Sequence, residues 1–447
     1  MQNKTMKHIL LINPWIHDFT AFDLWLKPLG LLYIGALLKS SGFNISLIDC
    51  MDRNHPSVIT EKNNKNFGTG FFRSEEITKP DVYRSVPRKY KRFGIPVNAF
   101  QENIKKIPSP DAIIMTSSMT YWYPGVFKAI EECKKVFPKI PVLLGGTYAC
   151  LCKEHAQKFS NADYVLTENS PQFILKQIIK ICGAATTPQA TLSHFAQIPR
   201  PAYELYEHLD SIAATTSFGC PYACTYCASK LLHPEFHERN LQSIVKELSY
   251  YKNNFKVNDI AFYDDALLVN PEKRFIPLAR KIIKNNYNFC FHTPNGLHAS
   301  AINTKIANLM FNTGFKTIRL SFESTSDRIQ KASSNKITNQ KFKTAVINLK
   351  NAGFTKNELG TYLLVGLPGQ TLAEVKDAVN FVHDCGVKIN LAQFSPIPGT
   401  GAFKEAAKAN PDLIKEPLLH NNTVYTLLNN TDFNLDTLNK IKLLAKL

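Results

Sequence analysis

The chain has 447 residues, 44% of them hydrophobic, and a formal net charge of +17 at pH 7. This length predicts two or three domains, and the positive charge favours an anionic partner such as a phosphorylated metabolite. No run of about 18 apolar residues occurs, which argues against a membrane-spanning helix, and no nucleic-acid-binding motif accompanies the basic residues, which argues against a nucleic-acid partner. The first residues lack the apolar core and cleavage site of a signal peptide, so we expect a cytoplasmic protein.

Residues 1–182 alternate between strand-like and helix-like patterns. Short apolar runs predict strands at His8–Asn13, Asn44–Asp49, Asp111–Thr116, Pro141–Leu144 and Ala162–Leu166. Helical patterns occur at Pro28–Lys39, from Pro124 onward, and at Pro171–Ile181. This alternation predicts an α/β domain of the flavodoxin-like or Rossmann-like type, with a parallel sheet and helices on both faces.

The carboxyl ends of these strands are where a parallel sheet binds its ligands. Small and hydroxyl-bearing residues occur there, at Ser117, Ser118, Gly145, Gly146 and Thr147. An insertion at about residues 52–108 separates the second strand from the third. It is too long for an ordinary loop, and loops of this length often act as lids or cofactor contacts.

Residues 183–211 have the composition of a linker, and a second alternating array begins at Ile212. Its strand candidates are Ile212–Thr216, Asp259–Tyr263, Phe289–Thr293, Thr317–Phe322, Gly360–Val365 and Asn390–Ser395. Helical patterns occur at 240–253, 271–285, 300–313, 338–351 and 371–384. These β/α units predict a partial TIM-type barrel over residues 212–400, with fewer strands than a complete (β/α)8 barrel. A tail of short helices is predicted at 401–447.

Three cysteines with the spacing C-x3-C-x2-C follow the first strand of the second array. Cys220, Cys224 and Cys227 can each bind one iron of a cubane iron–sulfur cluster, which leaves one iron open. An open metal position is typical of a catalytic site. The other cysteines are scattered and are expected to be plain thiols in a reducing compartment. The alternative is a second metal site at the close pair Cys150 and Cys152.

Polar residues also follow the later strands of the second array. Catalytic residues of a barrel come from the ends of several strands, so these side chains are expected to meet the cysteines at one mouth. They lie at Asp264–Asp265, His292–Gly296, Ser321–Ser324, Gly366–Gly369 and Ser395–Thr400.

Each of these features has a structural alternative. The two aspartates can form a solvated turn, and Gly366–Gly369 can be a turn only. Glu323 can pair with Arg319 or Arg328. The cysteines can bind zinc if His233 or His237 supplies a fourth ligand.

The second half resembles the radical S-adenosylmethionine (SAM) superfamily over about residues 211–400. The cysteine spacing and the aromatic Tyr226 before the third cysteine carry this resemblance. It implies a [4Fe–4S] cluster held by the three cysteines, with SAM on the fourth iron, and cleavage of SAM to a 5′-deoxyadenosyl radical. It also implies an electron donor such as flavodoxin or ferredoxin. The implied SAM-binding residues are Tyr226, Asp264 or Asp265, Glu323, Gly366 and Pro396.

The order of a flavodoxin-like domain, a linker and a radical SAM barrel is similar to that of the cobalamin-binding radical SAM enzymes. The runs that carry this similarity are Pro28–Gly35, Thr116–Ser118, Tyr121–Pro124 and Leu144–Thr147. The similarity implies cobalamin contacts at Ser117, Ser118, Gly145, Gly146 and Thr147. The D-x-H-x-x-G motif of many cobalamin proteins is absent. The run Asp52-Arg-Asn-His55 has an aspartate and a histidine, but at the wrong spacing. The resemblance therefore implies cobalamin bound without a histidine ligand.

The resemblance predicts a cobalamin-dependent C-methyltransferase that acts at an unactivated carbon of a substrate the sequence does not identify. One alternative is a cobalamin-independent radical SAM enzyme that catalyses rearrangement, cyclisation or sulfur insertion, with a vestigial first domain. A basic RNA-binding module with a structural metal is an alternative of another class.

Overall fold

A computed structural model describes residues 6–61, 63–183, 192, 194–429 and 432–446. The chain divides into two compact units, Met1–Asp210 and Ser211–Leu447. Among the described residues, none of the helices combines the length and the apolar character that crossing a membrane requires. Of the predicted linker 183–211, residues 184–191 and 193 lie outside the described residues.

The first unit is a mixed α/β structure. Its strands are β1 (His8–Asn13), β2 (Ile16–Asp18), β3 (Phe22–Asp23), β4 (Asn44–Asp49), β5 (Asn63–Asn64), β6 (Gly70–Phe71), β7 (Ser74–Glu76), β8 (Lys91–Phe93), β9 (Ala112–Met115), β10 (Val142–Leu144) and β11 (Tyr164–Val165). Its helices are α1 (Leu29–Ser40), α2 (Val97–Lys106), α3 (Tyr123–Val136), α4 (Thr147–Leu151), α5 (Lys153–Phe159) and α6 (Pro171–Cys182).

Five of these described strands form one parallel sheet in the order β11-β10-β9-β1-β4. Leu10 and Ile12 of β1 and Ile113 and Met115 of β9 have no solvent exposure, and they pack in a core that includes Ile130 of α3. Continuous apolar runs are expected where helices cover both faces of a sheet. The predicted α/β class of this region is therefore confirmed.

The insertion after β4 pairs with short strands that precede α1 in the same unit. Its strands β7 and β8 form an antiparallel sheet with β2, and β5 and β6 form another with β3. A buried ion pair joins Arg53 to Asp23 at 3.1 Å, with side chains 4% and 5% exposed. The described part of the insertion is therefore held by backbone pairing and by this ion pair.

The second unit has the alternation that its sequence predicts. Its strands are β12 (Ser211–Ala214), β13 (Ser217–Phe218), β14 (His237–Glu238), β15 (Asp259–Phe262), β16 (Cys290–His292), β17 (Leu297–His298), β18 (Phe315–Glu323), β19 (Leu359–Val365) and β20 (Lys388–Gln393). Its helices are α7 (Ser229–Leu232), α8 (Leu241–Asn254), α9 (Phe275–Asn285), α10 (Thr304–Thr313), α11 (Asp327–Ala332), α12 (Asn339–Asn351), α13 (Leu372–Asp384), α14 (Gly401–Ala409), α15 (Asn422–Asn429) and α16 (Leu435–Leu444).

The main strands of this unit form a parallel sheet in the order β12-β15-β16-β18-β19-β20. Among the described residues, β12 and β20 do not pair with each other, so the barrel is open, as predicted. The short strand β17, which the sequence pattern missed, pairs with β18 and places His298 beside Ser321. The partial barrel and its helical tail confirm the predicted fold class.

Candidate active site

The three cysteines lie in one loop between β13 and α7, at the carboxyl end of β12. Hydrogen bonds from distant parts of the second unit hold this loop. The Ala223 amide donates to Ser334 Oγ at 2.9 Å, and the Thr225 amide donates to the Ala332 carbonyl at 2.9 Å. The Thr225 carbonyl accepts from the Ala402 amide at 2.9 Å. The loop is therefore positioned by the segment that follows α11 and by the start of α14.

All three thiols are accessible and none is in a disulfide. Cys220 and Cys224 are half-buried and Cys227 is exposed. Burial raises the pKa of Cys220 to about 11 and raises that of Cys227, and the nearby Asp265 carboxylate contributes to both increases. Iron binding would counteract this effect, because a coordinating thiol is deprotonated by the metal charge.

The donor set fits a cubane cluster. Within the described residues, no three His, Cys, Asp or Glu side chains are grouped as ligands of one metal ion. The three thiolates that bind a cubane cluster need not converge on one metal ion, because each binds a different iron.

The two adjacent aspartates after β15 have different environments. Asp264 is 3% exposed, and its carboxylate accepts from the Thr216 amide, from Thr216 Oγ1 at 2.6 Å and from Ser217 Oγ at 2.6 Å. Burial raises its pKa, although Arg274 and these donors oppose the rise. Asp265 is exposed and accepts from Ser229 Oγ at 2.5 Å, beside the cysteine loop. Asp264 therefore stabilises the strand ends, and Asp265 is the carboxylate available to a ligand.

Asp264→Asn is expected to affect mainly the stability of the fold, and Asp265→Asn mainly the binding of SAM. The first should lower the free energy of unfolding by about 3 kcal/mol, because a buried acceptor of charge-assisted hydrogen bonds is lost. The second should change it by less than about 1 kcal/mol and instead weaken SAM binding at least about tenfold. Urea unfolding and a SAM titration of both variants test this. Equal loss of stability in the two would contradict the assignment.

Glu323, at the end of β18, pairs with Lys336. Its Oε1 lies 2.8 Å from Lys336 Nζ, and the two side chains are 8% and 7% exposed. The structural alternative, a pair with Arg319 or Arg328, is not what the structure has at Glu323. The reason is that residues 332–336 pack against the cysteine loop and bring a lysine to the end of β18.

Two observations mark Glu323 as a ligand-facing group. Its backbone φ of +67° lies in the left-handed region, which is costly for a non-glycine residue and clusters at functional sites. Its Oε2 is buried without a hydrogen-bond partner among the described residues. A buried carboxylate oxygen without a donor costs free energy, and a bound ligand with a hydroxyl or ammonium group would remove that cost.

Lys336 is the member of this cluster that the sequence reasoning missed. Burial lowers its pKa, but the Glu323 carboxylate and the thiols of Cys224 and Cys220 outweigh burial and raise the pKa above the usual value. A buried cation beside the thiols and the Glu323 carboxylate suits a ligand carboxylate. The stretch Ser333-Ser334-Asn335-Lys336 follows a short helix and has no pattern that identifies it.

The aromatic residues of the loop also face this cluster. The Tyr226 hydroxyl lies 3.1 Å from Ser333 Oγ, and burial and the Glu323 carboxylate raise its pKa. The ring of Tyr222 contacts that of His298 edge-on, at 4.4 Å between centroids. His298 is 6% exposed and its Nδ1 has no hydrogen-bond partner among the described residues, so it is a second orphaned group at this mouth.

The two predicted turn segments lie at the ends of β19 and β20. Gly366 and Gly369 have positive φ, and Gln370 Oε1 accepts from the Gly366 amide at 2.8 Å. Pro396 is buried, and a Cβ on nearby Gly399 would lie 2.9 Å from Leu231 of α7, which directly follows the cysteine loop. The segment that contains Pro396 is thus close to the cysteine loop. At Gly366–Gly369 the structure shows a turn.

In the first unit, β9 and β10 are neighbours and bring the predicted residues together. Ser117 Oγ donates to the Gly145 carbonyl at 2.6 Å, and the Ser117 carbonyl accepts from the Thr147 amide at 2.8 Å. Gly146 has φ +90°, and a Cβ there would lie 2.3 Å from the Ser117 carbonyl oxygen. The expected ligand role of Ser117 is therefore weakened, because its hydroxyl joins two strand ends. Ser118 is exposed.

A cavity of about 520 Å³ lies instead at the carboxyl end of the edge strand β4. Asp49, Asp52, His55 and Tyr206 are among the residues that line it. Both ring nitrogens of His55 are engaged, with Nδ1 2.7 Å from Ser57 Oγ and Nε2 2.6 Å from Asn103 Nδ2.

The chain is similar in sequence to a known protein family and to two known proteins. Residues 215–382 match the model of the radical SAM superfamily. An uncharacterized methyltransferase of Pyrococcus horikoshii is 27% identical over 338 residues, which cover 69% of this chain and 71% of the relative. The cytidylyl-2-hydroxyethylphosphonate methyltransferase of Streptomyces wedmorensis is 19% identical over 478 residues, which cover 91% of this chain and 83% of the relative.

Among solved structures, the radical SAM methyltransferase TsrM of Kitasatospora setae, solved with cobalamin and a [4Fe–4S] cluster bound, has a similar fold. It matches with a TM-score of 0.65 and 14% identity over 90% of this chain and 78% of its own. The cysteine loop, the partial barrel and these matches lead to one assignment. Residues 215–382, in the second unit, form a radical SAM domain.

Proposed function

We propose that the protein is a cobalamin-dependent radical SAM C-methyltransferase that acts on an unactivated carbon. The observation that carries the proposal is the cysteine loop, where three free thiols lie beside a buried Lys336–Glu323 pair and the exposed Asp265. Two relatives are named as methyltransferases, which supports methyl transfer as the outcome.

Cys220, Cys224 and Cys227 would hold the cluster. When bound, such a cluster supplies one electron to the SAM sulfonium, so that a carbon–sulfur bond breaks. Asp265 offers an acceptor for the SAM ammonium group, and Lys336 offers a cation for its carboxylate. Glu323 Oε2 and His298 Nδ1, both orphaned, suit the hydroxyl groups of its ribose.

The first unit would hold cobalamin at the carboxyl ends of its strands. When bound, cobalamin supplies a carrier for the methyl group. The side chains of Ser118 and Thr147 are the groups available at β9 and β10, while Ser117, Gly145 and Gly146 form the backbone turn that presents them. A fold like that of TsrM supports this proposal.

The remaining requirements follow from the chemistry. The cluster needs a low-potential donor such as flavodoxin or ferredoxin. A reducing compartment keeps the ten cysteines as thiols, which suits the cytoplasm.

Anaerobic reconstitution with iron, sulfide and hydroxocobalamin tests the proposal. We expect about four irons per chain, retained corrin absorbance, and formation of both 5′-deoxyadenosine and S-adenosylhomocysteine from SAM. Formation of 5′-deoxyadenosine alone, without retained corrin, would favour the cobalamin-independent enzyme. About eight irons would instead indicate a second cluster, with Cys150 and Cys152 as candidate ligands.

A further inference from the structure

Arg319 lies on the concave face of the barrel sheet. On β18 the alternate residues Ile318, Leu320 and Phe322 have no solvent exposure. The Phe322 ring packs at 4.3 Å from Phe342, on the helical side of the sheet. Because successive side chains of a strand point to opposite faces, Arg319 points to the face that the helices leave free.

No carboxylate balances this arginine. Among the described residues, Arg319 forms no ion pair, and its guanidinium has one hydrogen bond, from Nη1 to the carbonyl of Ile318 at 3.4 Å. Glu323, the acid on the same strand, is paired with Lys336. Partly buried arginines are normally paired with an anion, so this one has unused capacity for an acceptor.

A second hydrogen-bond donor, Asn390, lies close to Arg319, and both side chains pack over Gly360. Gly360 of β19 is in register with Arg319, and a Cβ on it would lie 2.9 Å from Arg319 Nη1 and 2.7 Å from Asn390 Nδ2. The two side chains thus pack directly over Gly360, where even a methyl group would clash with both of them. Asn390 Nδ2 also donates to the Thr361 carbonyl at 3.4 Å and keeps one further proton to donate. The nearby Tyr362 hydroxyl donates to the Pro294 carbonyl at 2.6 Å, so its proton is not available to the same ligand.

We propose that Arg319 and Asn390, over Gly360, form a subsite for an oxyanion group of the substrate. The group is a phosphate, phosphonate, sulfate or carboxylate, whose oxygens accept from both donors. The inference rests on the proposed function, and it adds that the substrate reaches the concave face of the barrel sheet. It narrows that substrate to a molecule with an anionic group set apart from the reacting carbon.

Binding of simple anions to the reconstituted, SAM-saturated protein tests the proposal. Phosphate, sulfate and acetate are titrated at constant ionic strength, with the melting temperature and the heat of binding as readouts. Comparison of the three titrations separates a preference for phosphate or sulfate from a preference for a carboxylate. The variants are Arg319→Met, which removes the charge, and Gly360→Ala, which keeps the charge but displaces the Arg319 and Asn390 side chains. The control is Arg280→Met, an exposed arginine on α9.

We expect at least one anion to bind the native protein and the control equally, and at least about tenfold more weakly to both other variants. Without added anion, Arg319→Met should melt at the same temperature or higher, since it removes an unpaired charge. Anion binding retained in both variants, or absent from the native protein, overturns the proposal. Neither readout uses turnover or corrin, so the proposed function can fail separately.

Discussion

Replacing Cys224 with alanine is expected to reduce bound iron from about four per chain to below about one, and to abolish 5′-deoxyadenosine formation. The physical reason is that a cubane with only two protein ligands has two open irons and is lost to solvent thiols and oxygen. The measurements are iron and sulfide analysis, absorbance near the cluster band, and product assay under anaerobic conditions.

The matched control is Cys385→Ala, a half-buried thiol at the end of α13, outside the cysteine loop. It should keep the native iron content and rate. A Cys224→Ala protein that retained both would show that the loop does not hold the catalytic metal, and would favour the structural-metal alternative.

Lys336→Met is expected to have the largest effect on stability as well as on SAM binding. It leaves the Glu323 carboxylate buried without its partner, which costs about 3–5 kcal/mol of unfolding free energy. It also removes the proposed partner of the SAM carboxylate, which weakens SAM binding at least about tenfold. Urea unfolding of the apoprotein and a SAM titration of the reconstituted protein give the two values.

The double variant Glu323→Gln with Lys336→Met separates the two effects. It should recover most of the lost stability, because no uncompensated charge remains, while SAM binding stays weak. Lys305→Met, which breaks an exposed pair with Glu272, is the control and should cost less than about 1 kcal/mol. A loss in Lys336→Met no larger than in this control would refute the buried-pair assignment.

Sequence patterns predicted the fold well because the main sheet of each unit is parallel and its strands alternate with helices. Buried parallel strands appear as continuous apolar runs, and β1 and β4 have the bounds that their runs predict. The strand β17 was missed because two residues carry no periodicity. The cysteine loop was found because its ligands are close in sequence, so spacing alone defines the motif.

Residues whose role depends on tertiary contacts could not be predicted. Asp264 and Asp265 are adjacent and chemically identical, and only the donors around Asp264 distinguish them. Lys336 reaches the site through a loop that follows α11, and its partner Glu323 is thirteen positions away. Ser117 had the right chemistry for a ligand contact, but the sequence does not show that Gly145 already accepts its hydrogen bond.

The contact between the Thr225 carbonyl and the Ala402 amide has a consequence for how the enzyme matures. Chains are synthesised from the amino end, so the cysteine loop leaves the ribosome long before α14 exists to close on it. The loop can therefore reach its final backbone geometry only after α14 has been synthesised and has packed against it. A chain that stops before α14 would hold the three thiols without this contact.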